Sequence, residues 1–337
     1  MELVNNVHAH NLVAWAKDKP EVVVFSGDLT GSTEISLFRD TYPERFFSLG
    51  MAEQNMLSWA GGMAREGFTP FLHTFAVFLY RRPFDQLSMS IAYPNLRVRL
   101  FGFLPGISTP GGVTHQAIED VSVLRGVPNM TIFEMGDATD VESVLDVSQA
   151  VNGPVYIRML RGQIPRLFPR NEPMQFNRAR VLSEGDDFTL ISSGICTEEA
   201  MRATLVLREK GVSIQHLHVS TLKPFTDSTV VEAIAKSKMG VITMENHSVI
   251  GGVGTAVSEV MAELGAGIPL IRIGIPDTYA HGATRQYLMK KYQLDAISFV
   301  RQAEKLLNTT FDIEEADLAA VRLQTPSSAG ADQLEAL

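Results

Sequence analysis

The sequence is poor in cysteine, in positive charge and in long apolar runs. Its single cysteine, Cys196, excludes an internal disulfide. The net charge of −9 at pH 7 offers no basic surface to nucleic acid or anionic lipid, so we expect neither as a partner. The richest apolar run, 71–80, is shorter than a membrane span and leads into Arg81 and Arg82, so we expect no membrane insertion.

Several kinds of site are missing as well. The eight histidines are scattered, and no group of histidine, cysteine and carboxylate has metal-ligand spacing, so we expect no metal bound by this chain alone. The Gly-x-Ser-x-Gly sequence that carries the nucleophile of many serine hydrolases does not occur. The first residues lack the basic start and apolar core of a signal peptide, which predicts a cytoplasmic protein.

A chain of 337 residues, 45% of them hydrophobic, is long enough for two α/β domains. In the first half, β-branched and aromatic runs alternate with segments of helical period, and the runs are apolar on both faces, as in a covered parallel sheet. The predicted strands are 22–25, 46–49, 96–103, 130–133 and 155–160, and the predicted helices are 53–65, 76–92, 115–125 and 138–150. These elements predict a doubly wound domain over 1–165.

The same alternation resumes after a Pro- and Arg-containing segment, 166–186, which we interpret as a linker. The predicted strands are 188–192, 212–218, 239–244 and 270–275, and the predicted helices are 197–210, 228–236, 254–264, 284–292 and 298–307. They predict a second, smaller doubly wound domain over 187–323. The Ser-, Ala- and Gly-rich residues 324–337 predict a flexible tail.

A glycine cluster at 246–254 follows a predicted strand and opens a helix, as dinucleotide-binding loops do. Its spacing lacks the full fingerprint, and it follows a middle strand rather than the first one. A tight turn with close helix packing is therefore the favoured interpretation, and nucleotide binding is the alternative.

One carboxylate, Glu53, falls in the first turn of the predicted helix 53–65. An acid at this position meets unpaired backbone N–H groups and the positive end of the helix dipole, which is ordinary stabilisation. The position of Glu53 alone therefore does not identify a function.

Four motifs in one order resemble the thiamine-diphosphate-dependent transketolase superfamily. That family has Gly-x-x-Glu-(Gln/His), Thr-Phe-x-x-Phe, Phe-Asp-Gln and Gly-x-Thr-His-Gln. The corresponding stretches are Gly50-Met51-Ala52-Glu53-Gln54, Thr74-Phe75-Ala76-Val77-Phe78, Phe84-Asp85-Gln86 and Gly112-Val113-Thr114-His115-Gln116, with further matches at Gly27-Asp28-Leu29, at 124–129 and at Arg161. The resemblance covers nearly the whole chain and implies a pyrimidine-binding fold followed by a transketolase C-terminal-like domain.

The resemblance also implies roles for the matched residues. Glu53 would bind a pyrimidine nitrogen of thiamine diphosphate and move the proton that gives the imino form, the base for the thiazolium carbon. Phe78, helped by Phe75, would cover the pyrimidine face. The further cofactor-binding candidates are Arg81 and Asp28, and the candidates for binding the sugar or its anionic end are His115, Arg161 and Ser32.

The match departs from the family in two respects. Phe103 and Gly111 stand where the family has a histidine and an aspartate, and no arginine stands near Asn5. These departures imply a non-standard ketose: deoxy, branched or sulfonated. The Gly-Asp-Gly motif that anchors the diphosphate and Mg²⁺ is absent, which implies a separate N-terminal subunit in an α2β2 heterotetramer.

The preferred hypothesis is the C-terminal subunit of a split transketolase, which transfers a two-carbon ketol unit from an anionic ketose to an aldose. One alternative is the β subunit of a 2-oxo-acid dehydrogenase E1 component, and a 1-deoxyxylulose-5-phosphate synthase is a weaker one because that family is a single long chain. A non-catalytic α/β regulatory subunit is the alternative of another class. The presence of both Glu53 and Phe78 favours an enzyme.

Overall fold

The structure, a computed structural model, describes residues 2–321 and residue 323, so the predicted tail lies outside the described residues. The strands are β1 Glu2–Asn5, β2 Val22–Ser26, β3 Phe46–Ser48, β4 Thr69–Phe75, β5 Arg99–Phe103, β6 Thr131–Glu134, β7 Val155–Met159, β8 Gln163–Arg166, β9 Arg180–Ser183, β10 Phe188–Ser192, β11 Ile214–His218, β12 Thr221–Lys223, β13 Val241–Ser248 and β14 Leu270–Ile275. The helices are α1 Val7–Trp15, α2 Ser36–Thr41, α3 Glu53–Arg65, α4 Ala76–Tyr80, α5 Phe84–Gln86, α6 Asp120–Arg125, α7 Ala138–Gln149, α8 Cys196–Glu209, α9 Ser228–Lys236, α10 Val253–Leu264, α11 Arg285–Lys291, α12 Ala296–Leu307 and α13 Glu315–Ala320.

The larger sheet has the strand order β12-β6-β7-β5-β4-β2-β3, and every neighbouring pair except β12 with β6 is parallel. Its inner strands β2, β4, β5 and β7 are buried along their whole length. The carboxyl ends of these parallel strands meet at one edge, where open α/β sheets bind their ligands. The predicted α/β class is therefore confirmed, and the strand ends place the candidate site.

The inner strand β4 is one that the sequence does not predict. Its seven buried residues run without a break into helix α4, so the sequence shows one apolar stretch with no change of period. A fully buried strand and a buried helix cannot be told apart by apolar periodicity when they adjoin. The contact of β4 with strands on both sides decides the assignment.

Two predicted helices are shorter than expected. The prediction 76–92 is wrong as one helix, because the chain breaks after α4 and resumes as α5 and a π-helical turn, Leu87–Ala92. Pro83, at the break, has no N–H to donate to the preceding helical turn. The prediction 115–125 is also too long, because α6 begins only at Asp120 and His115 lies in a loop.

The second sheet has the order β14-β13-β10-β11-β9, with β9 antiparallel at its edge. The segment predicted as a linker is more ordered than expected: β8 ends at its first residue and pairs with β1, and β9 lies within it. Strand β12 of the second half pairs with β6 of the first. The two halves thus share a sheet, and the predicted domain boundaries stay a prediction.

A side chain of this protein occupies the start of the helix that follows the glycine-rich segment after β13. The carboxylate of Glu245 accepts hydrogen bonds from the backbone N–H groups of Val253 and Gly254, at 2.6 and 2.9 Å, where α10 begins. In dinucleotide-binding loops a phosphate takes that position. The structure therefore favours the close turn over nucleotide binding.

A buried charge network joins the two halves. Arg158 on β7 is fully buried and pairs with Asp120 of α6 at 2.9 Å and with Glu134 of β6. Its Nη2 donates to the carbonyl oxygen of Asn246 on β13 at 3.0 Å. Burial raises the pKa of the neighbouring Glu245 to about 7, and Arg158 opposes that rise. One buried cation therefore serves acceptors from both halves.

A buried histidine pair predicts loss of stability in acid. The Nε2 atoms of His8 and His73 lie 2.9 Å apart, and burial lowers the pKa of His8 from 6.5 to about 3. Below pH 6.5 the unfolded chain binds a proton at His8 that the folded chain does not, so acidification favours unfolding. Between pH 7 and pH 5 the wild type should lose about 2 kcal/mol more unfolding free energy than His8→Leu.

Urea unfolding of both proteins at the two pH values checks this prediction. His10→Leu is the matched control, because His10 lies on the same helix but is exposed, and it should keep the wild-type pH dependence. If the wild type and His8→Leu lost the same unfolding free energy between pH 7 and pH 5, His8 would take up a proton in the folded state as well.

Candidate active site

Glu53 is buried in the first turn of α3, with 2% of its surface exposed. Helix α3 follows the short strand β3 through Gly50, which has a φ of +69° that glycine adopts without strain. The Glu53 carboxylate accepts a hydrogen bond from Nη1 of Arg82 at 2.8 Å. A first-turn acid that serves only the helix dipole has no need of burial, so the position suits a role in a site.

Three rings lie together beside the end of β4. The ring of Phe75 is 6.0 Å from that of Phe78 and nearly parallel to it. The His115 ring meets both edge-on, at 6.0 and 5.6 Å. The structure therefore brings together three of the residues that the sequence predicted for the site.

Arg82 connects these rings to Glu53. Its guanidinium carbon lies 4.1 Å from the centroid of the Phe78 ring, while Nη1 bonds Glu53. A guanidinium group is flat and carries N–H donors. Arg82 therefore stacks on Phe78 and donates to Glu53, as a flat aminopyrimidine ring in its place would. Glu53 and Phe78 therefore fit the pyrimidine of thiamine diphosphate, provided that Arg82, whose side chain is half exposed, gives way.

Arg81 braces the loop that carries His115. Its Nε donates to Glu119 at 2.7 Å, and its Nη atoms donate to the carbonyl oxygens of Val113 and Gln116 at 3.0 and 3.4 Å. These contacts give Arg81 a role in positioning His115, and the predicted cofactor contact of Arg81 stays a prediction. Asp28 is exposed just after β2, with a φ of +64°, and its cofactor contact also stays a prediction.

Arg161 follows β7 at the same edge of the sheet. Its Nη1 donates to the carbonyl oxygen of Ser32 at 3.1 Å, so the two residues predicted to hold the anionic end of a substrate are in contact. Burial raises the pKa of the nearby Glu34, and the charge of Arg161 opposes that rise. Ser32 contacts Arg161 through its backbone carbonyl oxygen. Its side-chain hydroxyl stays a candidate for binding the anionic end of the substrate.

The positions that depart from the family differ in their surroundings. Phe103 is fully buried and meets the His8 ring at 5.6 Å, so it belongs to the core of the first half. Gly111 is exposed in the loop before His115, and a Cβ there would lie 2.9 Å from His115. An aspartate at that position would require His115 to move.

Two features are absent from the described part of the chain. Among residues 2–321 and 323, no group of three or more histidines, cysteines and carboxylates could hold a metal ion. Within the same residues, every helix is too short or too polar to cross a membrane.

Sequence reasoning missed two residues of the site, Arg82 and Gln116. Arg82 is adjacent to Arg81, and no sequence signal tells which of two neighbouring arginines turns toward Glu53. The Gln116 side chain is buried and donates to the carbonyl oxygens of Thr109 and, from the second half, His281. The Gly-x-Thr-His-Gln motif contains Gln116 and could have identified it.

Comparison with known proteins decides the family. Residues 4–166 match the pyrimidine-binding domain of transketolase, and residues 177–297 match the transketolase C-terminal domain. The chain belongs to the transketolase family. The resemblance expected from the motifs is therefore confirmed, together with the order of the two domains.

Transketolase relatives match over most of their length. The 6-deoxy-6-sulfo-D-fructose transketolase subunit SqwH of a Clostridium species is 36% identical over 88% of this chain and 91% of its own. An apulose-4-phosphate transketolase subunit of Actinobacillus succinogenes is 32% identical over 90% of this chain and 98% of its own. A solved split-gene transketolase, an inactive β4 tetramer, shares 37% identity with a TM-score of 0.82 over 90% of this chain and 97% of its own. These transketolase matches support the preferred hypothesis and not the dehydrogenase or regulatory alternatives.

Proposed function

We propose that this chain is the C-terminal subunit of a two-subunit transketolase and transfers a two-carbon ketol unit from an anionic ketose to an aldose. The observation that carries the proposal is the buried Glu53 carboxylate, linked through Arg82 to the Phe78 ring at the strand ends. Relatives named as transketolase subunits, matched over more than nine-tenths of their length, support the reaction class.

Thiamine diphosphate, when bound, supplies the thiazolium carbon that accepts the two-carbon unit. With Arg82 displaced, Glu53 binds the pyrimidine nitrogen and transfers a proton to it. Phe78, with Phe75 packed beside it, stacks on one face of the pyrimidine and excludes water from that face. His115 binds the sugar hydroxyls, which its contact with the same two rings supports, and Arg161 binds the anionic end.

The partner in this proposal is an N-terminal subunit that holds the diphosphate and Mg²⁺, and the assembly is an α2β2 heterotetramer. Exposed apolar side chains on α3 and on the π-helical turn that packs against it support such a partner: Trp59 on α3, and Met89 and Tyr93 on or just after the turn. Tyr93 is 80% exposed. A Cβ on Gly61 of α3 would lie 2.5 Å from the carbonyl oxygen of Ser90, so the two elements pack closely. Exposed apolar side chains on packed elements are typical of a protein–protein contact.

Reconstitution tests the proposed function. The purified chain alone should show no transketolase activity and should bind thiamine diphosphate poorly, because this chain offers contacts to the pyrimidine and none of the described clusters suits Mg²⁺. Adding the N-terminal subunit should produce ketol transfer that depends on both Mg²⁺ and thiamine diphosphate. Activity of the chain without a partner, or no activity with it, would contradict the proposal.

Arg161→Ala tests whether Arg161 binds the anionic group of the ketose. Arg161 should donate a charge-assisted hydrogen bond worth roughly 1.5–3 kcal/mol, so its loss should raise KM for an anionic ketose at least about tenfold. KM for a neutral ketose should change little. Steady-state kinetics of the reconstituted enzyme with a 6-phosphorylated or 6-sulfonated ketose, and with the same ketose lacking that group, measures both.

The matched control for this variant is Arg178→Ala, since Arg178 is an exposed arginine of the connecting segment and does not line the cavity that Arg161 lines. It should leave both KM values at the wild-type level. Equal effects of Arg161→Ala on the two ketoses would show that Arg161 does not bind the anion.

A further inference from the structure

We infer that the second half of the chain contributes to substrate recognition, and that Arg285 binds the anionic group of the ketose together with Arg161. This inference rests on the proposed function and adds a residue from another part of the fold. The two arginines line one cavity of about 370 Å³ between the halves. Arg161 reaches it from the end of β7, and Arg285 reaches it from the start of α11.

The other charged groups of this cavity already have partners. Glu198 pairs with Arg202 at 2.5 Å, and Glu199 accepts the backbone N–H of Ala296 at 2.9 Å. Asp295 caps helix α12 by accepting the N–H of Ser298 at 3.1 Å.

Lys290 pairs with Glu315 at 2.7 Å. Arg285 makes no hydrogen bond or ion pair to any residue within 2–321 or 323, and Arg161 uses one donor, toward Ser32. Among the charged groups of the cavity, the donors without a partner in the described residues are therefore guanidinium N–H groups, which bind the oxygens of phosphate or sulfonate in a forked geometry.

A second contact brings the same segment to the predicted sugar site. The loop just before Arg285 packs on the loop that carries His115: a Cβ on Gly282 would lie 2.7 Å from the carbonyl oxygen of Pro110, and one on Gly112 would lie 3.2 Å from the Gly282 nitrogen. The buried Gln116 side chain donates to the His281 carbonyl oxygen at 3.4 Å. One stretch of the second half, 281–285, thus touches the surroundings of both His115 and Arg161.

This placement gives the two halves of the chain different roles in binding the ketose. The first half binds the reacting end of the ketose at the carboxyl ends of the strands. Arg161 lies between these strand ends and the cavity. An anionic group on the far end of the ketose would lie between Arg161 and Arg285. Arg285 is exposed and has no partner among the described residues, so both guanidinium groups can donate to the oxygens of one phosphate or sulfonate.

Kinetics of Arg285→Gln in the reconstituted enzyme tests the inference. KM for a 6-phosphorylated or 6-sulfonated ketose should rise about tenfold, while KM for the same ketose without that group and kcat for both should change less than twofold. Lys291→Gln is the matched control, because it removes the same charge from an exposed residue of the same helix that does not line the cavity. The double variant with Arg161→Ala should lose less than the product of the two single effects, since both arginines bind one group.

The outcomes separate the inference from the proposed function. If Arg161→Ala acts on the anionic ketose alone and Arg285→Gln behaves like Lys291→Gln, the inference is overturned and the proposed function stands. If neither arginine distinguishes the two ketoses, both the inference and the proposed role of Arg161 fail.

Inorganic phosphate or sulfate can show whether the anion belongs to the ketose or to a separate small molecule. Inhibition that competes with the anionic ketose and is weakened by Arg285→Gln supports the inference. Inhibition that does not compete with the ketose, yet is abolished by Arg285→Gln, would assign the cavity to a separate anion and overturn it.

Discussion

Glu53→Gln is expected to lower the turnover of the reconstituted enzyme at least about 100-fold, the usual scale of a lost acid–base group. Glutamine has the same shape and can still accept the hydrogen bond from Arg82, which lies 2.8 Å from the carboxylate. It cannot hold and release a proton, so the effect isolates proton transfer from packing. The free energy of unfolding should change by at most about 1 kcal/mol, because the lost helix-dipole interaction is small.

The direct measurement is hydrogen–deuterium exchange at the thiazolium carbon of thiamine diphosphate in the reconstituted complex. Exchange should slow in Glu53→Gln by about the same factor as turnover. Glu66→Gln is the matched control, since Glu66 is an exposed acid at the other end of the same helix. An exchange rate equal to that of the wild type would show that Glu53 only stabilises the start of its helix.

Arg158→Met is expected to cost about 3–5 kcal/mol of unfolding free energy, the range seen when one partner of a buried ion pair is removed. Methionine fills much of the space but leaves Asp120 and Glu134 buried without a counter-charge. It also leaves the carbonyl oxygen of Asn246 without its donor, which weakens the contact between the halves. Urea unfolding at pH 7 measures the loss.

Arg99→Met provides the comparison, because Arg99 is equally buried on the neighbouring strand β5. It donates to the carbonyl oxygens of Gly153 and Val151, at 2.7 and 2.9 Å, and has no carboxylate partner among the described residues. Its removal therefore leaves no unpaired charge, and the loss should be smaller. Adding Glu134→Gln to Arg158→Met should recover part of the stability. Equal losses in the two arginine variants, or no recovery, would contradict the ion-pair explanation.

The motifs of this family lie in short local stretches, which is why the sequence could predict them. Glu53 begins the predicted helix, and the observed bounds of α3 are the predicted ones, because its apolar spacing is regular and no proline interrupts it. The failures fall where local patterns are ambiguous. Strand β4 adjoins a buried helix, and the predicted helix 76–92 contains Pro83.

The fold class, the family, and the residue types that acid–base and aromatic contacts require can be inferred from the sequence, because each depends on residues close together along the chain. Only the folded chain shows which of two adjacent arginines meets Glu53, and which cations of the second half line a cavity with Arg161. It also shows that Glu245 fills the helix start at the glycine cluster. These outcomes depend on side chains that come together from distant segments of the chain. A buried charge is stable only beside a partner, and the spacing of residues in the sequence does not tell which residue that partner is.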